Sequence, residues 1–383
     1  MGIVVGINAS RNRSGGAKVH LVGILKNSDP LAHGIREVHV WSYKNLLEEL
    51  PDAPFLIKHN PPELERSLIQ QVGWEYYALP KEARRNSCDI LLNTDAGSVC
   101  GFRPSVVMSR DMLSFERKEM NRYSLSAMRL RLILLRFIQT RSMKRADGVI
   151  FLTNYAARII QGTTGKLRCV SVIPHGVGSN FKQTTSAGAW LEEPGRITRC
   201  LYISNTEMFK HQWVVVRAIG ELRRQGYNIS LLLAGGGSGR AQRLLDEEVA
   251  RTDPQGDFIE SLGFVPHDEL PRLLAKADLF IFASSCENMP NTLVEAMASG
   301  LPIACSNRGP MPEILEDGGI YFDPERSDSI SSAIENIIQK RDMRIANAKR
   351  AKELAGQYSW ARCASETWDF LSAIICQRES HPS

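Results

Sequence analysis

Two glutamates, Glu287 and Glu295, bracket the segment of this 383-residue chain best suited to chemistry. It reads Ser285-Cys286-Glu287-Asn288-Met289-Pro290-Asn291-Thr292-Leu293-Val294-Glu295-Ala296-Met297-Ala298-Ser299-Gly300. The apolar run Leu279–Phe282 before it reads as a strand, Pro290 closes a polar loop, and a helix opens at Asn291 or Thr292. Unpaired N–H groups and the positive dipole end of such a helix make an anion site suited to a diphosphate. Helical side chains lean toward the N-terminus, so Glu295 can reach back to a ribose hydroxyl beside the phosphates. Glu287, on the loop, is placed for a sugar held further out. Spacing alone leaves a second reading open: a solvated loop acid and a surface helix residue.

The Glu287-to-Glu295 spacing resembles the Glu-x7-Glu motif of the retaining glycosyltransferases of family 4, and Leu293–Gly300 resembles the family's continuation of it. The resemblance extends back through Leu262-Gly263-Phe264-Val265-Pro266-His267 and Ala277-Asp278-Leu279-Phe280-Ile281. It extends forward through Gly309-Pro310-Met311-Pro312-Glu313-Ile314 and Tyr321-Phe322-Asp323-Pro324. It implies the GT-B fold, two Rossmann-like domains with a nucleotide-sugar in the cleft between them. It also implies roles: Glu295 on the donor ribose, Glu287 on the transferred sugar or its phosphate, and the Met289, Pro290, Asn291, Thr292, Leu293 turn on the sugar and diphosphate. Lys210 matches the lysine that neutralises the diphosphate, a charge-assisted contact that strengthens as the leaving nucleotide gains charge. Phe264 and Val265 match the segment touching the base, and Gly236 sits in a Gly-Gly-Gly turn where small residues admit a nucleotide.

In the first half, Gly15 and Gly16 follow the first strand and match the family's Gly-rich loop near the donor phosphates. Thr153 and His175 match positions near the acceptor side and the hinge, His175 as a hinge residue rather than an acid or base. Two departures stand out. The family's usual His-Asp pair is replaced by Ser109-Arg110-Asp111. Arg110 is no base, its pKa being above about 12, but it can hold a hydroxyl, a phosphate or an acceptor pyrophosphate. Ser204 stands in the segment where an arginine usually accompanies Lys210. No Asp-x-Asp occurs, so no metal is expected at the diphosphate, and no cofactor beyond the donor.

The elements that must position these residues are short apolar strands alternating with amphipathic helices: Ile3 to Ile7, Asp89 to Leu92, Ser105–Met108, Gly148 to Leu152, Val170 to Ile173, Arg199 to Ile203, Ile229–Ala234, Leu279–Phe282 and Leu301 to Ala304. That alternation is an α/β class with doubly wound parallel sheets. The length calls for two domains. An aperiodic Thr, Ser, Gly and Pro stretch divides them as 1–180, a linker at 181–198, and 199–358, with 359–383 a helix packing back on the first domain.

Eight cysteines form no Cys-x-x-Cys pair, which argues against zinc ribbons and redox pairs. The net charge of +5 conceals an imbalance, since residues 1–182 carry 26 Lys and Arg against 15 Asp and Glu. Much of it lies in 117–145, where Arg122, Arg129 and Arg136 recur every seven residues beside Leu130, Ile133, Leu134, Phe137 and Ile138. Two readings follow: a helix lying on anionic membrane, or a domain helix with its apolar face in the core. No apolar run approaches the roughly 20 residues of a membrane span, and no signal peptide is recognised. The expected protein is cytoplasmic or peripheral on the inner face of the cytoplasmic membrane. It would move a hexose or deoxyhexose to a lipid-linked or polysaccharide acceptor in O-antigen, capsule or lipopolysaccharide assembly. Alternatives are a sugar-nucleotide 2-epimerase of the same architecture and a nucleic-acid-binding protein using the basic helix. Against the latter, the aromatics do not interleave with the charges.

Overall fold

The computed structural model describes residues 2–13, 15–124, 126–182 and 195–380. Its strands form two all-parallel sheets. The first holds β1 (Ile3–Asn8), β2 (Ile35–Trp41), β3 (Leu56–His59), β4 (Ile90–Asn93), β5 (Ser105–Met108), β6 (Gly148–Phe151) and β7 (Cys169–Val172), in the order β3-β2-β1-β4-β5-β6-β7. The second holds β8 (Thr198–Ile203), β9 (Ile229–Ala234), β10 (Ile259–Ser261), β11 (Leu279–Phe282), β12 (Ile303–Ser306) and β13 (Ile320–Phe322), in the order β10-β9-β8-β11-β12-β13. Both orders reverse direction beside their first strand, which opens a crevice at the strands' carboxyl ends: β1/β4 in one sheet, β8/β11 in the other.

The central strands β4, β5, β6, β11 and β12 are buried along their whole length, as the apolar runs predict for parallel strands covered on both faces. Four strands, β2, β3, β10 and β13, have no such run. Arg36, Glu37 and His39 interrupt β2, and Lys58 and His59 end β3 toward the sheet edge.

The chain forms two compact units, residues 1–176 with 359–383, and 177–358. The expected boundary at 180 therefore moves to 176. The short helix Ser179–Lys182 packs against the helix Asn291–Ser299 and buries Phe181, so it is part of the second unit. Most of the expected linker, 183–194, lies outside the described residues. The helix Trp360–Ser380 belongs to the first unit. A Cβ at Gly23 would stand 2.4 Å from the Trp360 ring and one at Gly148 2.9 Å from Phe370, so glycine at both positions admits the helix. His33 Nδ1 and Asp369 Oδ1, 2.7 Å apart, fasten its outer face.

The helix Ala127–Arg145 corrects one of the two readings of the basic stretch. Ser126 caps it, accepting from the Arg129 N–H at 3.3 Å, and only Leu132, Gln139 and Met143 are buried. Leu130, Ile133, Leu134 and Phe137 are exposed, Leu130 at 69% and Phe137 at 66%. The apolar face is not core. Among the described residues no helix is long and apolar enough to cross a membrane.

Candidate active site

In the second unit, the loops leaving β8 and β11 meet at the crevice. Lys210, at the end of the β8 loop, forms an ion pair with Glu287 on the β11 loop, and each side chain is 15% exposed. Its ammonium lies 5.4 Å from the Phe209 ring centre and 5.6 Å from that of Phe282, a cation held over aromatic faces. The Tyr202 hydroxyl donates to the Lys210 carbonyl at 2.5 Å. The Ser285 N–H donates to the Phe209 carbonyl at 2.8 Å, and Ser285 Oγ lies 2.9 Å from His211 Nε2. These ties run parallel to the Lys210–Glu287 pair and stitch one loop to the other. His211 adopts φ +52°, a left-handed conformation rare outside glycine, at the start of the helix Gln212–Arg224.

Pro290 precedes the helix Asn291–Ser299, whose first N–H groups have no acceptor within their own helix. Met289, Pro290 and Leu293 are buried, while Asn291 and Thr292 are half-buried at the opening. Glu295 is no surface residue; it is 4% exposed. Its Oε1 lies 2.7 Å from His267 Nε2, and its Oε2 is buried with no partner among the described residues. That contact, with Asp268 nearby, holds the His267 imidazole above its usual pKa despite partial burial. Thr206 Oγ1 and Gln212 Oε1 are likewise buried without partners, and the Gln212 amide donates to Ser204 Oγ at 2.9 Å. These orphaned oxygens were not legible in the sequence, because only the fold shows which polar side chains go unpaired.

A Cβ at Gly236 would meet only Gly263, at an ordinary 3.7 Å, and the backbone constraint falls one residue earlier. Gly235 has φ +112°, and a Cβ there would stand 2.2 Å from the Ser204 carbonyl oxygen. Val265 is half-buried and Phe264 is 83% exposed, an apolar ring on an open surface. Among the described residues no group of three or more His, Cys, Asp or Glu is placed to hold a metal ion.

The first unit's crevice is built differently. Asn8, at the end of β1, donates to Glu75 Oε1 at 2.8 Å and to Asn93 Oδ1 at 3.0 Å. Ser98 Oγ donates to the same Glu75 oxygen at 2.6 Å, and Arg11 Nη2 lies 2.8 Å from Glu75 Oε2. Glu75 is 1% exposed, and no motif marks it in the sequence. Gly15 and Gly16 open the helix Gly15–Lys26 on an exposed turn. Arg110, from the β5 loop, donates through Nη1 to the Ala17 carbonyl at 3.2 Å. Burial presses its pKa down to about 10 against the pull of Asp95. Asp111 accepts from the Leu113 N–H at 3.1 Å, and burial raises its pKa. Thr153 caps the helix Asn154–Thr164, accepting from the Ala156 N–H at 3.1 Å. His175 is buried and stacks on Trp360, ring centres 5.9 Å apart. The structure thus gathers Arg110, Gly15 and Gly16 at one end of the first sheet, while Thr153 is engaged in capping.

Residues 192–354 match the family described as glycosyl transferases group 1. Over 167 residues the chain is 32% identical to the O-antigen chain mannosyltransferase B of Escherichia coli, a match covering 44% of each chain. It is 26% identical over 241 residues to a GDP-mannose-dependent alpha-(1-6)-phosphatidylinositol monomannoside mannosyltransferase of Mycobacterium tuberculosis, covering 59% of this chain and 61% of that one. The chain thus spans about half the length of the curated relatives it matches. Whole-chain likeness appears in solved structures. A sucrose-phosphate synthase from Thermosynechococcus elongatus superposes with a TM-score of 0.77 at 16% identity, covering 98% of this chain and all of that one. Anabaena HepE in complex with UDP-glucose gives 0.72 at 19%, covering 99% of both. The architecture is the GT-B fold.

Proposed function

We propose that this protein is a retaining glycosyltransferase that moves a hexose or deoxyhexose from a nucleotide-sugar to a lipid-linked or polysaccharide acceptor in cell-surface polysaccharide assembly. The observation that carries the reading is the Lys210–Glu287 pair at the β8/β11 crevice, followed at once by the open helix end at Asn291 and the orphaned Glu295 oxygen. In this reading Glu295 Oε2 takes a ribose hydroxyl, the helix end and Lys210 take the diphosphate, and Glu287 turns to the sugar. Lys210 and the helix dipole stabilise the charge that grows on the leaving phosphate. The bond from the sugar's anomeric carbon to the phosphate oxygen breaks through an oxocarbenium-like state. The acceptor oxygen bonds to the same face, and its proton passes to the departing phosphate. The Mycobacterium tuberculosis relative supports GDP-mannose among the first donors to try, and the UDP-glucose complex supports UDP-glucose.

The proposal extends to the membrane. The helix Ala127–Arg145 exposes Leu130, Ile133, Leu134 and Phe137, and no Asp or Glu occurs between Glu119 and Asp147. Each basic residue at an anionic surface contributes about 1 kcal/mol. The test is thermal stabilisation across UDP, GDP, ADP and dTDP and their sugars, with vesicle sedimentation of the same preparation at low and high salt. A ligand at about 100 times its dissociation constant adds roughly 2.7 kcal/mol. No stabilisation by any nucleotide would overturn the donor reading, and equal sedimentation with neutral and anionic vesicles would overturn the membrane reading.

A further inference from the structure

Glu295 is a buried carboxylate tied to one side chain. It is 4% exposed, and an isolated anion there costs free energy unless a donor or a positive group meets it. Among the described residues no Lys or Arg pairs with it, and its ion-pair partner is His267. The pairing fixes which oxygen is engaged. Oε1 lies 2.7 Å from His267 Nε2, while Oε2 stays buried with no partner among the described residues. Glu295, with Asp268 nearby, raises the His267 pKa against the effect of burial, which favours a ring carrying an N–H at Nε2. The ring also packs on Phe181, centres 5.4 Å apart, in the helix Ser179–Lys182 that rests against Glu295's own helix. Four residues before His267, the Gly263 carbonyl accepts from the Gly235 N–H at 2.6 Å, so the loop carrying Phe264 and Val265 is tied at both ends. The His267 side chain is 44% exposed, too open to be there as core filling.

We propose, resting on the assignment of Glu295 to the ribose, that His267 is a positioning residue: by holding Oε1 it keeps Oε2 presented to a ribose hydroxyl of the donor. A carboxylate restrained at one oxygen has less freedom left to lose when the hydroxyl binds. A nucleotide without ribose hydroxyls leaves Oε2 buried and unpaired, which penalises its binding rather than merely withholding a contact. The tie therefore acts on selectivity. Without His267 the carboxylate is free to turn toward water through the space the imidazole leaves, and a nucleotide lacking hydroxyls no longer strands a buried charge.

The test is calorimetric titration of the full chain with UDP and GDP and with their 2′,3′-dideoxy counterparts. The wild type is expected to prefer the better-bound ribonucleotide over its dideoxy form by about tenfold or more. Glu295→Ala and His267→Phe are each expected to bring that ratio below about threefold. His267→Gln, which keeps an N–H at similar reach, is expected to retain most of the preference. Should the phenyl ring disturb the fold, His267→Ala carries the same prediction as His267→Phe. A merely structural His267 would lower both affinities together and leave the ratio intact. That result overturns the inference, and Glu295→Ala then tests the ribose assignment by itself. A wild type indifferent to the hydroxyls, or one binding neither nucleotide, removes the ribose assignment and the inference with it.

Discussion

The two crevices share a topology and differ in how their polar atoms are spent. At β1/β4, Asn8, Glu75, Asn93, Ser98 and Arg11 use one another up in a closed network. At β8/β11, Glu295, Thr206 and Gln212 each leave a buried oxygen with no partner among the described residues, and Lys210 and Glu287 hold each other across two loops. A saturated network fixes loop geometry, whereas unsatisfied groups cost stability unless something arrives to meet them. Strand order places both crevices; the loop residues decide which carries a closed network and which keeps polar atoms unspent.

The sharpest way to break this contrast is to remove one residue from each side. Lys210→Ala is expected to lower turnover by about 10²–10³-fold, the usual loss for a donor that stabilises developing charge, with a smaller loss in nucleotide affinity. Steady-state kinetics with the donor found by screening measures it; an unchanged kcat would show that the donor site is elsewhere. Glu75→Leu strips three partners of their acceptor and is expected to destabilise the first unit by about 3 kcal/mol, read by urea denaturation. A loss under about 0.5 kcal/mol would mean that the network is ornamental.

The subtlest test is pH, where the units should move in opposite directions. In the first unit, burial holds His20, His39 and His59 below the usual histidine pKa. The unfolded chain binds protons there more readily, so the stability these groups contribute is present above about pH 6.5 and is lost as pH falls below it. In the second unit, His267 is raised by Glu295. Its contribution is full below about pH 6.5 and is lost as pH rises through the higher folded value. The limit is about 1.4 kcal/mol per histidine per pH unit. Hydrogen exchange resolved by unit, at pH 5.5 and 7.5, should show the first unit loosening on acidification while the second tightens. Parallel responses would remove the distinction.

Legibility in the sequence followed the same division. The candidate site of the second unit is legible because its residues are contiguous: a strand, a turn and a helix carry Glu287 through Glu295, and Lys210 lies in a second compact segment. The network of the first unit is not, because Asn8, Glu75, Asn93 and Ser98 are single polar residues far apart in the chain. Glu75 sits between Trp74 and Tyr76, and nothing in that segment tells a buried acid from a solvated one. The fold class followed from the central apolar strands. The strands broken by Arg36, Glu37 and His39 or ended by Lys58 and His59 carry no apolar run to read, because pairing to a neighbour rather than hydrophobicity makes them strands. The apolar stripe of Ala127–Arg145 was ambiguous because periodicity reports a face without saying what covers it.

The helix Trp360–Ser380 has a consequence for biogenesis. Its Trp360 and Phe370 fill spaces left by Gly23 and Gly148, yet a ribosome makes those glycines hundreds of residues earlier. The first unit must therefore wait with an open groove while the whole second unit emerges and folds. During translation the order of completion is inverted: the half begun first is sealed last.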